Sequence, residues 1–284
     1  MVGTTSDIGR AVERIRDHLG TSAPVALVLG SGLGLLADEI EAARRLSYSE
    51  IPGFPVSRVP GPRGELVFGA LEGTSLLVFR GRFHFYEGYA FDELTFPFRC
   101  LPELGTETLL LTNAAGGLNP DYEVGEFMSI TDHVRLQWRD PLRTWSSLDT
   151  TDRLQPRYSE RIRSMARSVA KELGIVLHEG VFGMALGPSY ETPAETQLLR
   201  AMGADVVSMS TVPEATLACA AGLEVYGVSC ITNSWAKQTS EVSHSEVMEV
   251  GQRVGPTFVP LIKGIVRNLR EANPRGSRST GGVE

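Results

Sequence analysis

Cysteine is scarce: Cys100, Cys219 and Cys230 are the only three in 284 residues. An odd number without metal or redox spacing excludes a disulfide framework and is simplest in a reduced, cytoplasmic protein. Positive charge is also short. The formal net charge of −7 argues against a nucleic-acid-binding surface, because the phosphate backbone rewards clustered Lys and Arg. It leaves room for a small anion held by a few local groups. No apolar run is long enough to span a bilayer, and residues 1–20 lack a signal-peptide core, so no membrane partner is expected. Repeats and heptads are absent. His18, His84, His133, His178 and His244 show none of the close spacings of a zinc site, so no metal is expected. No Gly-x-Ser-x-Gly elbow supports a serine hydrolase.

What is present suits a globular α/β chain. Hydrophobic residues make up 42% and charged residues 21%, enough for a substantial core. Apolar residues at helical spacing predict a helix over 6–19, with Gly20 as its stop. Residues 25–29 (VALVL) read as a buried strand. Residues 66–71 and 75–79 read as a hairpin joined through Glu72-Gly73-Thr74. A helix near 92–101, strands at 108–112 and near 127–134, a helix over 158–173 closed by Gly174, strand-like runs near 176–186, and strands at 204–209 and 224–231, each followed by a helix, complete the pattern. Such alternation predicts a single-domain α/β fold with a mixed, largely parallel sheet covered by helices. No linker divides it: one domain over 1–272 and a flexible tail over 273–284 are expected. Residues 135–157 are the least regular and read as a long loop or flap.

The chemistry concentrates where strands end. Thr108–Pro120 (TLLLTNAAGGLNP) is an apolar run expected to end at Thr112 and open into Asn113, Ala114, Ala115, Gly116 and Gly117. Small residues at the carboxyl edge of a sheet expose backbone amides in the crevice where ligands bind in open α/β folds. Alone, the segment reads equally as a tight turn without a ligand. Gly30-Ser31-Gly32-Leu33-Gly34 follows another strand. Its third glycine comes one residue too early for the dinucleotide fingerprint, and no Gly-Lys-Ser/Thr completes a Walker loop. It can still offer amides and the Ser31 hydroxyl to an anion. Arg82 and His84, two apart in extended chain, point to one side and would clamp a phosphate or carboxylate; separately they read as a surface arginine and a packed histidine. Thr192–Glu195, Thr211–Glu214 and Ser243–Glu246 each fit a capping box, which alone shows architecture. Beside these helix starts stand Glu191, Met209, Ser210 and His244.

Taken in order, VLGSGLG (28–34), GRFHFYEGY (81–89), LLTNAAGGLNP (110–120), GPSYETPAE (187–195), GADVVSMSTVPE (203–214) and SCITN (229–233) resemble the trimeric purine nucleoside phosphorylase family. The resemblance implies a homotrimer that catalyses reversible phosphorolysis of purine nucleosides, with inorganic phosphate as co-substrate and no cofactor. By motif position, Ser31, Arg82, His84, the Ala114 amide and Ser210 would contact phosphate. Tyr86 and Met209 would face the ribose, and His244 its 5′-hydroxyl. Glu191 and Asn233 would bind the base, with Tyr190, Ala114, Ala115 and Gly116 against its ring; His84, Glu191 and Asn233 would be the catalytic groups.

The residue chemistry selects a base. An asparagine amide can donate to O6 and accept from a protonated N7, whereas a glutamate carboxylate accepts from N1–H. Inosine, guanosine and their deoxy forms are therefore expected over adenosine. The related methylthioadenosine phosphorylases carry aspartate where this chain has Asn233 and lack a match for Glu191. A methylthioadenosine phosphorylase-like specificity and a non-catalytic nucleoside-binding protein are the rival readings. Two departures stand out. Trp235 and Lys237 follow Asn233 where bacterial members usually run Ala-Ala-Gly, so they either reshape the base pocket or point to solvent. The segment carrying Trp138 and Trp145 does not match the family's loop that closes a neighbouring subunit's site.

Overall fold

The apolar run that begins at Thr108 does not stop at Thr112. It continues through the small residues as one ten-residue strand, β5 (Thr108–Gly117), and the sheet is organised around it. The computed structural model describes residues 5–20, 22–56, 64–135, 157–237 and 243–273. Along one edge of β5 runs β9 (Glu224–Ser234), parallel and paired over its whole length from Thr108 to Gly117. The opposite edge is shared. There β1 (Val25–Leu29) pairs in parallel with Thr108–Leu111, and β8 (Val206–Ser208) pairs antiparallel with Gly116 and Gly117. Between them, Thr112 to Ala115 have no strand partner on that side among the described residues. The extra strand length missed in the sequence comes from β9, whose ladder continues to hold residues too small and too polar to read as a strand alone.

Beyond β1, the sheet extends through β4 (Thr74–Arg80), β3 (Glu65–Leu71) and β2 (Glu41–Ser47). The β3–β4 hairpin is antiparallel, as expected. Beyond β8 come β7 (Leu177–Met184) and β6 (Phe127–Arg135), and β6 pairs with β9. Because β9 also pairs with β5, the strands β5, β8, β7, β6 and β9 close into a ring, with β1, β4, β3 and β2 as an open wing. Among the described residues five of the nine strand pairings are parallel, so the sheet is mixed. Strand β2 carries no sequence signal: Glu41 to Arg45 are exposed, and its charges and bulge suit a guarded edge.

Helices cover both faces, which is why β1 is buried at every position. Ala26 and Val28 of β1 face one core cluster and Val25, Leu27 and Leu29 the other, the period-2 alternation of a strand. On the first face lie α1 (Thr5–Leu19), α2 (Phe91–Arg99) and α5 (Val212–Ala220). Val12, Ile15 and Leu19 of α1 are fully buried in that cluster, each stabilising the fold by about 1.5–3 kcal/mol. On the second face lie α3 (Glu160–Leu173) and α7 (Gly255–Ala272). Ser159 caps α3 by accepting from the Ile162 amide at 3.1 Å, and Gly174 ends it in the left-handed region. Helix α7, to which the sequence reading assigns no element, follows directly on α6 (His244–Arg253). Helix α4 (Pro193–Ala201) packs Leu199 beside the ring. Residues 136–156, with Trp138 and Trp145, and the tail from 274 onward lie outside the described residues. Among the described residues no helix is long and apolar enough to cross a membrane.

Candidate active site

Ala114, Ala115 and Gly116, where β5 passes from the uncovered stretch to β8, lie on the floor of a cavity of about 910 Å³, a size typical of small-molecule sites. All thirteen residues singled out in the sequence line it: Ser31, Arg82, His84, Tyr86, Ala114, Ala115, Gly116, Tyr190, Glu191, Met209, Ser210, Asn233 and His244. They arrive from the ends of β1, β4, β5, β8 and β9 and the starts of α4 and α6. This is the convergence expected at a switch point of an α/β sheet.

At one end the floor meets the glycine loop. A Cβ at Gly30 would sit 2.6 Å from the Asn113 Cα, so any side chain there would force β1 and β5 apart. The Gly30 amide donates to Thr112 Oγ1 at 3.0 Å, and that hydroxyl donates to the Val28 carbonyl at 2.9 Å. The loop is thereby pinned, with Ser31 on the cavity wall.

Arg82 crosses this end. Its Nη1 donates to the Thr112 carbonyl at 2.9 Å and to Ser210 Oγ at 3.2 Å, and its Nε lies 2.8 Å from Glu214 Oε1. Both side chains are nearly inaccessible, 6% and 1% exposed. Nη2 is buried without a hydrogen-bond partner among the described residues. A buried charged donor left unpaired is costly, and an anion is its natural partner. His84 lies alongside, stacked on Tyr86 with ring centroids 4.8 Å apart. The Glu87 carboxylate accepts from the His84 amide at 2.8 Å and lies 3.4 Å from its Nδ1, which orients the ring.

Glu214 departs from expectation. Thr192–Glu195 and Ser243–Glu246 form capping boxes as read, but Thr211–Glu214 does not: Thr211 makes no side-chain cap. Arg82 takes the carboxylate instead, because pairing a buried guanidinium is worth more than capping one helix end. Thr211 has φ 79° and ψ −49°, and the Val212 amide donates to the Ser210 carbonyl at 2.9 Å. That is a γ-turn with positive φ, a strained conformation for a β-branched residue. Asn113 Nδ2 donates to Thr211 Oγ1 at 3.1 Å and holds it. The strained turn aims Ser210 at Arg82.

The other end is polar on an apolar wall. Glu191 is buried, and Oε1 has no hydrogen-bond partner among the described residues. Burial, and then the neighbouring Glu195 carboxylate, raise its pKa above the ordinary carboxylate value. Asn233 is also buried. Its Oδ1 accepts from Thr232 Oγ1 at 3.3 Å, while Nδ2 is unpartnered among the described residues. Tyr86 and Met209 meet over Gly187, and Ala114 is fixed through its carbonyl, which accepts from Ser208 Oγ at 2.8 Å. His244 opens α6 on the cavity wall.

The two residues left open in the sequence separate. Trp235 lines the cavity, its ring 6.4 Å from Tyr190 at 59°. Lys237 turns to the surface and pairs with Glu123. Sequence reasoning missed Glu214 as part of the site; only a polar residue placed in an otherwise buried helix start marked it. Among the described residues no group of three or more His, Cys, Asp or Glu could hold a metal ion.

Comparisons with known proteins agree with this fold. A family profile described as the phosphorylase superfamily matches residues 24–267. Purine nucleoside phosphorylase 1 of Geobacillus stearothermophilus is 46% identical over 266 residues, covering 92% of this chain and 97% of its own. Purine nucleoside phosphorylase of Schistosoma mansoni, solved in complex with inosine, superposes with a TM-score of 0.85 at 32% identity, covering 94% of this chain and 98% of its own. Its complex with adenosine gives the same TM-score and identity, covering 95% and 99%.

Proposed function

Because the chain belongs to the purine nucleoside phosphorylase family, we propose that its thirteen-residue cavity binds a 6-oxopurine nucleoside above inorganic phosphate and catalyses their reversible exchange to free base and pentose 1-phosphate. In the forward direction the C1′–N9 bond breaks and a phosphate oxygen bonds to C1′. Positive charge develops on the sugar and negative charge on the departing purine.

The two ends of the cavity answer those two charges. Phosphate lies against Ser31, the unpaired Nη2 of Arg82, His84, the Ala114 amide and Ser210, below C1′. There it stabilises the sugar cation and then captures it. The departing purine is met by Asn233, whose Nδ2 donates to O6 and whose Oδ1 accepts from N7 as it takes up a proton. Glu191 accepts from N1–H. Tyr86 and Met209 pack the ribose, His244 reaches the 5′-hydroxyl, and Tyr190, Ala115 and Gly116 face the purine ring. Catalysis is positioning and electrostatics, with no covalent bond to the protein.

The observation that carries this reading is the pairing of unpartnered buried groups: Arg82 Nη2 at one end, Glu191 Oε1 and Asn233 Nδ2 at the other. Each lacks the partner that phosphate or a 6-oxopurine supplies. A relative of the same shape holds both adenosine and inosine, so shape alone does not choose the base; the side chains at 191 and 233 do.

The test is to incubate the protein with inosine, guanosine, adenosine or methylthioadenosine, with and without phosphate, and follow free base. Phosphate-dependent release, fastest from inosine and guanosine, is expected. Release indifferent to phosphate would indicate hydrolysis, faster cleavage of adenosine or methylthioadenosine would indicate the sister specificity, and no release would leave a binding protein. Turnover unchanged by a chelator and a trimeric mass by light scattering belong to the same reading.

A further inference from the structure

Trp235 stands at a place where the proposed chemistry has no assigned residue. Strand β9 delivers Asn233 to the cavity, and the Trp235 amide donates to the Gly117 carbonyl at 2.8 Å. That bond extends the β5–β9 ladder by one rung beyond Ser234, and the indole lands over Gly116. A Cβ at Gly116 would lie 2.6 Å from Trp235 Nε1 and 3.0 Å from Asn233 Nδ2. Two nitrogen donors therefore flank one point on the cavity floor. The indole has no acceptor among the described residues. The apolar part of the ring rests against the cluster formed by Leu118, Ala185, Leu199, Ala204 and Val207, and Tyr190 faces it from the Glu191 side.

The two donors differ in kind. An asparagine amide turned over presents an acceptor, so it can read either a carbonyl or an amine. An indole N–H only donates. We propose that Trp235 is a second specificity-determining residue, its Nε1–H donating to the 6-oxygen of the purine beside the Asn233 amide. This assignment rests on the purine reading of the cavity. A 6-amino group would set its own N–H against the indole N–H and leave both donors unpaired, which a site built on hydrogen bonds penalises strongly. Trp235 thus makes the choice at position 6 one-way, where Asn233 alone would leave it reversible.

The experiment compares ligands with and without the 6-oxygen. Binding of hypoxanthine and of unsubstituted purine is measured calorimetrically in saturating phosphate, for the parent and for Trp235→Phe, which keeps an aromatic ring and removes the donor. The expected result is an affinity for hypoxanthine lower by about tenfold, with purine within about twofold, as for loss of one hydrogen bond. Equal changes for both ligands, or no change in either, overturn the assignment. A parent protein that releases no hypoxanthine from inosine in phosphate overturns the purine reading instead. A second measurement does not depend on the folding of the variant. In the parent with 15N-labelled tryptophan, one indole N–H resonance should move downfield with hypoxanthine and much less with purine. Equal shifts with the two ligands, or none, again reject the hydrogen bond.

Discussion

Nε of Arg82 and Oε1 of Glu214 lie 2.8 Å apart with both side chains buried, so the cation at the anion end is paired on one side before any ligand arrives. A buried charge that loses its partner costs about 3–5 kcal/mol. Glu214→Gln should therefore lower the melting temperature of the phosphate-free protein. Phosphate should then restore more stability to the variant than to the parent, since it supplies the missing negative charge. Thermal melts with and without phosphate check this; equal phosphate-induced shifts in both proteins would show that Glu214 does not tune Arg82.

Asn233→Asp keeps the acceptor that Thr232 engages and exchanges the free Nδ2 donor for an acceptor. The inosine-to-adenosine ratio of kcat/KM should fall about 10- to 100-fold, the effect of one hydrogen bond replaced by an unpaired acceptor. Because the indole donor remains, adding Trp235→Phe should carry the ratio further than either change alone. Steady-state kinetics with the two nucleosides measure it.

The raised pKa of Glu191 sets a pH dependence of definite sign. A carboxyl pushed up by burial stays protonated over a wider acid range, whereas N1–H of a 6-oxopurine needs the carboxylate. Affinity for hypoxanthine should fall as pH falls through that raised value, and binding there should release a proton. In the ligand-free protein the same shift means that stability is lost as pH rises from the ordinary carboxylate range through the raised value. Glu191→Gln should flatten the acid limb, bind more weakly at neutral pH, and melt higher without ligand. Calorimetry across pH in two buffers of different ionisation enthalpy tests the first two points, and melting the third.

Asn113→Ala removes the donor that holds the Thr211 γ-turn. The expected cost is about 1–3 kcal/mol in urea unfolding. Because the turn aims Ser210 rather than the purine-facing groups, the KM for phosphate should rise more than the KM for inosine. An equal rise in both would place Asn113 outside the anion end.

Gly116→Ala puts a methyl where the Trp235 and Asn233 nitrogens already converge. Inosine KM should rise with little change in phosphate KM. The reverse pattern in two-substrate kinetics would contradict the division of the cavity.

What could be read in the sequence follows from what each residue answers to. Strand β1 and helix α1 were legible because local periodicity and burial agree. The thirteen candidate residues fall together in one cavity because they sit in motifs at strand ends and helix starts. The full length of β5 was not, because Asn113–Gly117 has no strand propensity and is held by a partner more than a hundred residues away. Strand β2 was hidden for the opposite reason, since an exposed edge needs no apolar alternation. Glu214 was misread because its pattern, Thr-x-x-Glu, is the same whether the carboxylate turns to its own helix or to a buried arginine from another loop. Lys237 and Trp235, two residues apart, went to opposite environments, one paired with Glu123 and one on the cavity wall, which no local pattern in the sequence separates.

The interval of β5 that neither β1 nor β8 covers is a seam. Arg82 and His84 reach it from the open wing and Ser210 from the closed ring, so an anion held by all three would be a rivet across the seam, beside the core clusters that wing and ring share. The loaded protein should behave as a stiffer object than the empty one: backbone amides at the end of β4 and around the Ser210 turn should slow their hydrogen exchange together when phosphate binds, although they lie on different sides of the seam.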